Sequence, residues 1–158
     1  YGVVGIAVAK VIGGENAVMS DISEQALALT NANLELNGLN GVEVIKSNGL
    51  KEIQDKDFTL ILSNPPYHTD FSVAKDFIEG GYKKIALGGR MIMVTKRLTW
   101  YRNKLTAVFG GVKVFESDGY YVFVAEKRRR TERRQEKKKQ GLSKKLKRKY
   151  GGKQGKGK

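Results

Sequence analysis

Short β-type runs alternate with longer helical patterns over residues 1–126, and no other feature of the chain constrains its fold as strongly. Helical patterns cover residues 3–12, 23–37, 72–86 and 99–109, and β-type runs cover 17–20, 42–46, 58–63, 91–95, 112–116 and 120–126. The order α-β-α-β-β-α-β-α-β-β is typical of a parallel sheet covered by helices. We therefore predict an α/β fold: a Rossmann-like, doubly wound, mostly parallel sheet with a C-terminal antiparallel hairpin.

Local patterns refine this prediction. The continuous apolar run 58–63 is typical of a strand buried on both faces of a parallel sheet. Gly88 and Gly89 predict a turn before the strand at 91–95, and Asp118-Gly119 predicts a hairpin turn. In the helix over 23–37, the predicted inward face consists of Ala26, Leu29, Ala32 or Asn33, Leu34 and Leu36.

The tetrapeptide Asn64-Pro65-Pro66-Tyr67 directly follows the apolar strand 58–63, so it lies at that strand's carboxyl end. Ligands of open α/β sheets bind at this edge. Neither proline has an N–H, which leaves the carbonyl of Pro65 free of local competition, and the Asn64 side chain supplies a second acceptor. Two rigid acceptors suit a planar –NH2 group and would point its lone pair at an electrophilic methyl group. Tyr67 would stack on a planar base; the alternative is an ordinary proline-containing loop.

The chain resembles the class I S-adenosylmethionine-dependent methyltransferases, and within them the methyltransferase small domain group, which includes ribosomal guanine-N2 methyltransferases. The resemblance covers about residues 1–126 and is strongest at the tetrapeptide. The segments that carry it are Tyr1-Gly2-Val3-Val4-Gly5-Ile6-Ala7, Asp21-Ile22, Ser47-Asn48-Gly49, Ser63-Asn64-Pro65-Pro66-Tyr67-His68, Phe77-Ile78, Leu87-Gly88-Gly89-Arg90 and Gly119-Tyr120-Tyr121-Val122.

The resemblance implies S-adenosyl-L-methionine as cofactor and assigns roles by position. Gly2 matches the last glycine of the family's cofactor loop, and Asp21 matches the acid that binds the ribose hydroxyls. Ile22 would flank the adenine, and Asn48 with Gly49 would contact its amine. The simpler readings are a helix-start glycine for Gly2, a helix N-cap for Asp21 and a turn for Asn48. Asn64 would serve both cofactor and substrate, and catalysis would rest on Asn64, Pro65, Pro66 and Tyr67.

Two departures from the family pattern bear on these expectations. The strand that precedes the cofactor loop in the family lies before Tyr1, so we expect a domain incomplete at its N-terminus, with two unpaired strand edges and low stability on its own. Tyr67 stands where the ribosomal guanine-N2 enzymes more often carry phenylalanine. Because tyrosine is common there in adenine-N6 and glutamine-N5 methyltransferases, the substrate stays open between these classes. The lone His68 is expected to be a polar loop residue.

Positive charge is concentrated in residues 127–158, which hold 17 of the 30 lysines and arginines and two of the 16 acidic residues. Residues 1–126 therefore carry a net charge of −1, although the whole chain carries +14. Blocks of like charge stay disordered alone and bind phosphates in a salt-dependent manner. We predict two parts: a catalytic domain over 1–126 and an RNA-binding tail from Lys127 to Lys158. A nuclear localisation signal or a tether to anionic membranes has the same composition.

Composition excludes several classes of site. The absence of cysteine rules out disulfides, thiolate metal sites and a cysteine nucleophile, and one histidine rules out a multi-histidine metal site. No apolar run reaches the roughly 20 residues of a membrane span. We expect no metal, no membrane association and a cytoplasmic location.

The leading hypothesis is an RNA N-methyltransferase acting on an exocyclic amine, with ribosomal RNA as substrate and guanine N2 or adenine N6 as target. The first alternative is methylation of a protein glutamine, because the same tetrapeptide occurs in those enzymes. The second is a non-catalytic RNA-binding protein that retains the fold. Trp100 and Tyr101 could stack on bases, although we expect one of them in the core and the other partly exposed.

Overall fold

A computed structural model describes residues 1–65 and 71–129 and divides the chain into two units after Lys127. The first unit has the predicted order of elements, with one additional short 3-10 turn at Gly14–Asn16. The elements are α1 (Val3–Ile12), β1 (Val18–Asp21), α2 (Glu24–Leu36), β2 (Glu43–Lys46), β3 (Phe58–Ser63), α3 (Phe71–Lys84), β4 (Ile85–Thr95), α4 (Leu98–Phe109), β5 (Lys113–Ser117) and β6 (Tyr120–Glu126).

The strands form two sheets instead of one continuous sheet. β1 and β2 pair in parallel, and the other four strands follow the order β3-β4-β6-β5, in which the β3–β4 pairing is parallel and the other two pairings are antiparallel. Within the described ranges no strand pairs with the second edge of β1 or of β3. The fold is therefore the expected mixture of parallel strands, helices and a C-terminal antiparallel hairpin, with the two open edges that the sequence predicts.

The main hydrophobic core lies between the four-stranded sheet and the helices α3 and α4. Alternate residues of β4, Met91, Met93 and Thr95, are almost fully buried because successive side chains of a strand point to opposite faces. Ile78 of α3 and Leu105 of α4 complete this layer with no exposed surface. Each such apolar side chain contributes about 1.5–3 kcal/mol through burial, so this half of the domain has the more extensive core.

Strand β3 differs from the prediction of burial on both faces. Ile61 is buried in the main core, whereas Leu60 is 39% exposed. Since neighbouring residues of a strand point to opposite faces, one face of β3 packs on the core and the face that carries Leu60 is partly exposed. An apolar run alone does not distinguish these two environments.

Helix α2 buries a narrower face than predicted. Ala26, Thr30 and Leu34, spaced four residues apart, form its buried stripe, and Leu29 and Leu36 are exposed. Leu36 lies two residues beyond Leu34, which places it on the opposite side of a helix with 3.6 residues per turn. The inward face predicted from the apolar residues is therefore wrong at Leu29 and Leu36.

The diglycine segment belongs to β4 and is not the turn that was expected before it. β4 begins at Ile85, and its register with β3 shifts between Phe58 and Leu60, opposite Gly88 and Gly89. The predicted hairpin turn is confirmed: Asp118 and Gly119 have φ values of 51° and 74°, the positive pair that a type I′ turn requires. No helix in the described ranges is long and apolar enough to cross a membrane.

Candidate active site

The carboxyl ends of β1 and β2 lie side by side and bring two predicted cofactor positions together. Asp21 pairs with Lys46 in the parallel ladder, and the N–H of Ser47 donates to the carbonyl of Asp21 at 3.0 Å. The turn that begins at Asn48 therefore lies next to Asp21. This placement follows from the parallel register, which puts both strand ends at one edge of the sheet.

Asp21 is exposed, and one of its carboxylate oxygens accepts a hydrogen bond from the N–H of Ser23 at 2.9 Å. Ser23 is the N-cap of α2, where its hydroxyl accepts from the N–H of Ala26 at 3.3 Å. The capping role considered for Asp21 thus belongs to Ser23, and the second oxygen of Asp21 has no hydrogen-bond donor among the described residues. Ile22 follows with 62% of its surface exposed, unusually high for an isoleucine.

The turn over residues 47–52 is closed by a carboxylate that sequence reasoning missed. The buried Ser47 hydroxyl donates to Glu52 Oε2 at 2.7 Å, and the backbone N–H of Asn48 donates to the same oxygen at 2.9 Å. These two bonds hold the pKa of Glu52 below its usual value, with the Ser47 bond as the larger cause. Gly49 follows with φ of 70°, a left-handed conformation that favours glycine. The one sequence feature that indicates this contact is a glutamate four residues after Asn48.

Gly2 is the N-cap of α1 and adopts φ of 74°. A Cβ at this position would lie 2.9 Å from Cε of Met19 and 3.0 Å from Cγ2 of Thr30. The left-handed backbone and this close packing explain the glycine without any ligand. Contact between Gly2 and a cofactor therefore stays a proposal.

The remaining predicted residues lie in the other sheet. Asn64 and Pro65 follow the last residue of β3, Ser63, which pairs with Met93 of β4. The Asn64 residue is exposed, and Pro65 is buried. Pro66, Tyr67 and His68 lie outside the described residues.

A shallow cleft of about 240 Å³ lies between the turn after β2 and helix α3. Its volume is below the roughly 300–1,000 Å³ typical of ligand pockets, and neither Asp21 nor Asn64 lines it. The cleft alone is therefore not a complete cofactor site. Its lining residues are Asn48, Gly49, Leu50, Lys51, Ser72, Val73, Asp76, Phe77 and Gly80.

The residues at the β1 and β2 ends suit an adenosine group chemically. A carboxylate oxygen that lacks a donor can accept hydrogen bonds from ribose hydroxyls, and the exposed Ile22 offers an apolar surface to a purine face. Asn48 is exposed and its backbone is held by Glu52, so its amide side chain is available to a ring amine.

Comparison with known proteins identifies the family of the chain. The methyltransferase small domain model matches residues 1–124. The ribosomal RNA small subunit methyltransferases C of Serratia proteamaculans and Sodalis glossinidius are 32% and 33% identical over 124 residues, which is 76% of this chain and 35% of each relative. The chain thus spans about a third of the length of these relatives.

Solved structures share the fold. The Thermus thermophilus 16S rRNA methyltransferase RsmC, solved in complex with AdoMet and guanosine, is 24% identical, with a TM-score of 0.65 over 70% of this chain and 31% of its own. A ribosomal protein methylase from Lactobacillus delbrueckii is 19% identical, with a TM-score of 0.69 over 80% of this chain and 65% of its own. Because the family model covers most of the chain, the protein belongs to the methyltransferase small domain family, whose methyl donor is S-adenosyl-L-methionine.

Proposed function

We propose that the protein is an S-adenosylmethionine-dependent N-methyltransferase that modifies an exocyclic amine of an RNA base in ribosomal RNA, at guanine N2 or adenine N6. The observation that carries this proposal is the family match over residues 1–124, which includes Asn64-Pro65-Pro66-Tyr67 at the carboxyl end of β3. The relatives named as ribosomal RNA methyltransferases support RNA as acceptor.

Positioning is the proposed catalytic contribution of the tetrapeptide. The Asn64 side-chain oxygen and the Pro65 carbonyl accept hydrogen bonds from the two N–H groups of the target amine. These two bonds direct the lone pair of the amine towards the methyl group. Pro65 is buried, which restrains the backbone that carries one acceptor, and Asn64 lies at the exposed end of β3, where a base can reach it. Pro66 contributes no competing N–H, and Tyr67 stacks on the base. The bound cofactor supplies the electrophilic methyl group.

Cofactor binding is assigned to the residues around the ends of β1 and β2. Asp21 accepts hydrogen bonds from the ribose, Ile22 packs on the adenine and Asn48 contacts the adenine amine, with Gly49 shaping the turn. Gly2 packs on Met19 of β1, which brings the start of α1 close to these cofactor-binding residues. Asn64 completes the set from the β3 end.

The tail from Lys127 to Lys158 is proposed to bind RNA phosphates, with residues 1–126 as the catalytic domain. Its excess of 15 positive charges would release counterions and give strong, salt-sensitive affinity without sequence preference. Nearly all of the tail lies outside the described residues, so this proposal rests on composition. A substrate in ribosomal RNA is also consistent with the proposed cytoplasmic location.

The molecule that receives the methyl group, RNA or protein, decides between this proposal and its alternatives. The full-length protein is incubated with labelled S-adenosylmethionine, ribosomal subunits and deproteinised ribosomal RNA, and label is followed in RNA and in protein separately. Label in RNA, assigned to guanine N2 or adenine N6 after nucleoside digestion, is the expected result. Label confined to protein would shift the function to glutamine methylation, and the absence of cofactor binding would leave a non-catalytic RNA-binding protein.

A further inference from the structure

Two adjacent cations, Lys96 and Arg97, follow the last residue of β4, Thr95. β4 is parallel to β3, with Met93 opposite Ser63. The two cations therefore lie at the carboxyl ends of these parallel strands, as Asn64 does. β6 runs antiparallel to β4 and pairs Tyr121 with Thr95, which brings the start of β6 to this edge as well.

Aromatic rings fix the position of both cations. The Arg97 guanidinium lies 4.9 Å from the centroid of the Phe71 ring, and Phe71 stacks on Trp100 with centroids 4.4 Å apart and planes inclined by 21°. The Lys96 ammonium lies 4.8 Å from the centroid of Tyr120. Such cation–π contacts hold a charged group in place without neutralising it.

We call the set Lys96, Arg97, Phe71, Trp100 and Tyr120 the cation–aromatic cluster. It is anchored in the hydrophobic core. Trp100 meets Tyr101 edge to face with centroids 5.1 Å apart, and Tyr101 is buried against Phe123. The first turn of α4 is therefore anchored in the core. Trp100 is half-buried and Tyr101 buried, which confirms the expectation that one of the pair is core and the other partly exposed.

Both cations lack an ion pair within the part of the chain that the structure describes. Lys96 and Arg97 are exposed, and neither forms an ion pair with a carboxylate in residues 1–65 or 71–129. Exposed positive groups held beside aromatic rings are suited to phosphate, because guanidinium and ammonium groups donate strong hydrogen bonds to its oxygens.

We propose that Lys96 and Arg97 bind the backbone phosphates that flank the target base, while Asn64 and Pro65 receive the base itself. This inference rests on the proposed RNA substrate and adds a second RNA contact, distinct from the tail. The tail would supply affinity for any RNA, whereas these two cations would set the register of the strand at the catalytic edge. Their position on the same edge as Asn64 fits phosphates within a nucleotide or two of a flipped base.

The test compares the double variant Lys96→Ala/Arg97→Ala with wild type in the full-length protein. The control is Lys56→Ala/Lys113→Ala, which removes two exposed lysines at other sites. KM and kcat for methyl transfer to ribosomal RNA are measured at several salt concentrations, and the Kd for S-adenosylmethionine verifies that the fold is intact.

In the cluster variant the KM for RNA should rise by about tenfold or more, and the slope of log affinity against log salt should fall by about 1.4–1.8, since each phosphate contact contributes about 0.7–0.9. The cofactor Kd should not change, and the control should resemble wild type. An unchanged KM and slope in the cluster variant, with RNA methylated by wild type, would overturn this inference alone. Label only in protein, or none in RNA with the wild type, would overturn the proposed function and this inference together.

Discussion

The backbone N–H of Asn48 donates a hydrogen bond of 2.9 Å to the carboxylate of Glu52. The same oxygen accepts the Ser47 hydroxyl, and the resulting closed turn presents Asn48 beside the end of β1. Glu52 thus acts on the proposed adenine contact through the backbone and does not itself touch the ligand in this account. Its role is positioning, so its removal should affect cofactor affinity more than fold.

Glu52→Gln should weaken S-adenosylmethionine binding by roughly three- to tenfold. The amide keeps one acceptor but loses the charge, and charge-assisted hydrogen bonds are about twice as strong as neutral ones. Calorimetric titration measures the Kd, and Glu43→Gln, at an exposed position on β2, serves as the control. Equal cofactor affinity in the two variants would mean that the turn needs no carboxylate.

The same carboxylate predicts a dependence on pH. Hydrogen bonds from Ser47 and Asn48 lower the pKa of Glu52 from 4.5, so the folded turn favours the ionised form. The stabilisation of the turn is therefore complete above about pH 4.5 and is lost as the pH falls through the lowered pKa. NMR chemical shifts of the Asn48 amide should report this transition in wild type and show none in Glu52→Gln. A shift of the amide at neutral pH would contradict the assignment.

Asp21→Asn should lower cofactor affinity by at least about tenfold, because a neutral amide replaces a charged acceptor of ribose hydroxyl bonds. The bond from the N–H of Ser23 can persist to the amide oxygen, so thermal stability should change little. The measurement is the Kd for S-adenosylmethionine together with Tm, and Asp55→Asn is the matched control. A wild-type Kd in Asp21→Asn would exclude Asp21 from the cofactor site.

Gly14→Ala should destabilise the fold by about 1–3 kcal/mol, the usual range for overpacking. A Cβ there would lie 2.0 Å from the carbonyl oxygen of Asn40, a backbone atom that cannot rotate away. At Gly80, inside α3, a Cβ would meet nothing within 4 Å, so Gly80→Ala should stabilise by roughly 0.5–1 kcal/mol. Urea unfolding of both variants gives the free energies of unfolding. An unchanged or higher free energy of unfolding in Gly14→Ala would contradict the close contact with Asn40, and a lower one in Gly80→Ala would contradict the open space beside Gly80.

Local sequence patterns predicted the elements well because local chemistry controls their ends. Ser23 caps α2, and Asp118-Gly119 closes the hairpin through the φ angles these residues tolerate. The order of elements and the position of Asn64 after β3 followed from such signals.

Features that depend on contacts between residues far apart in the sequence could not be predicted from local patterns. The exposure of Leu60 depends on whether another element covers that face of β3, and an apolar residue looks the same in either environment. The contact between Glu52 and Ser47 depends on the path of a loop without regular periodicity. The cation–aromatic cluster joins α3, α4 and β6, which are separated in sequence, so only the fold shows that Phe71 and Arg97 meet.

The most direct test of the central claim is methyl transfer to ribosomal RNA by Asn64→Ala compared with wild type, with cofactor binding measured in parallel. Asn31→Ala, at an exposed position on α2, controls for the loss of an asparagine. Methyl transfer should fall by at least about 100-fold, since orientation and preorganised dipoles are the proposed source of catalysis. Cofactor affinity should fall far less, because Asp21, Ile22 and Asn48 keep their proposed contacts, and the control should resemble wild type. Transfer at the wild-type rate by Asn64→Ala would contradict the proposed catalytic role of the β3 end.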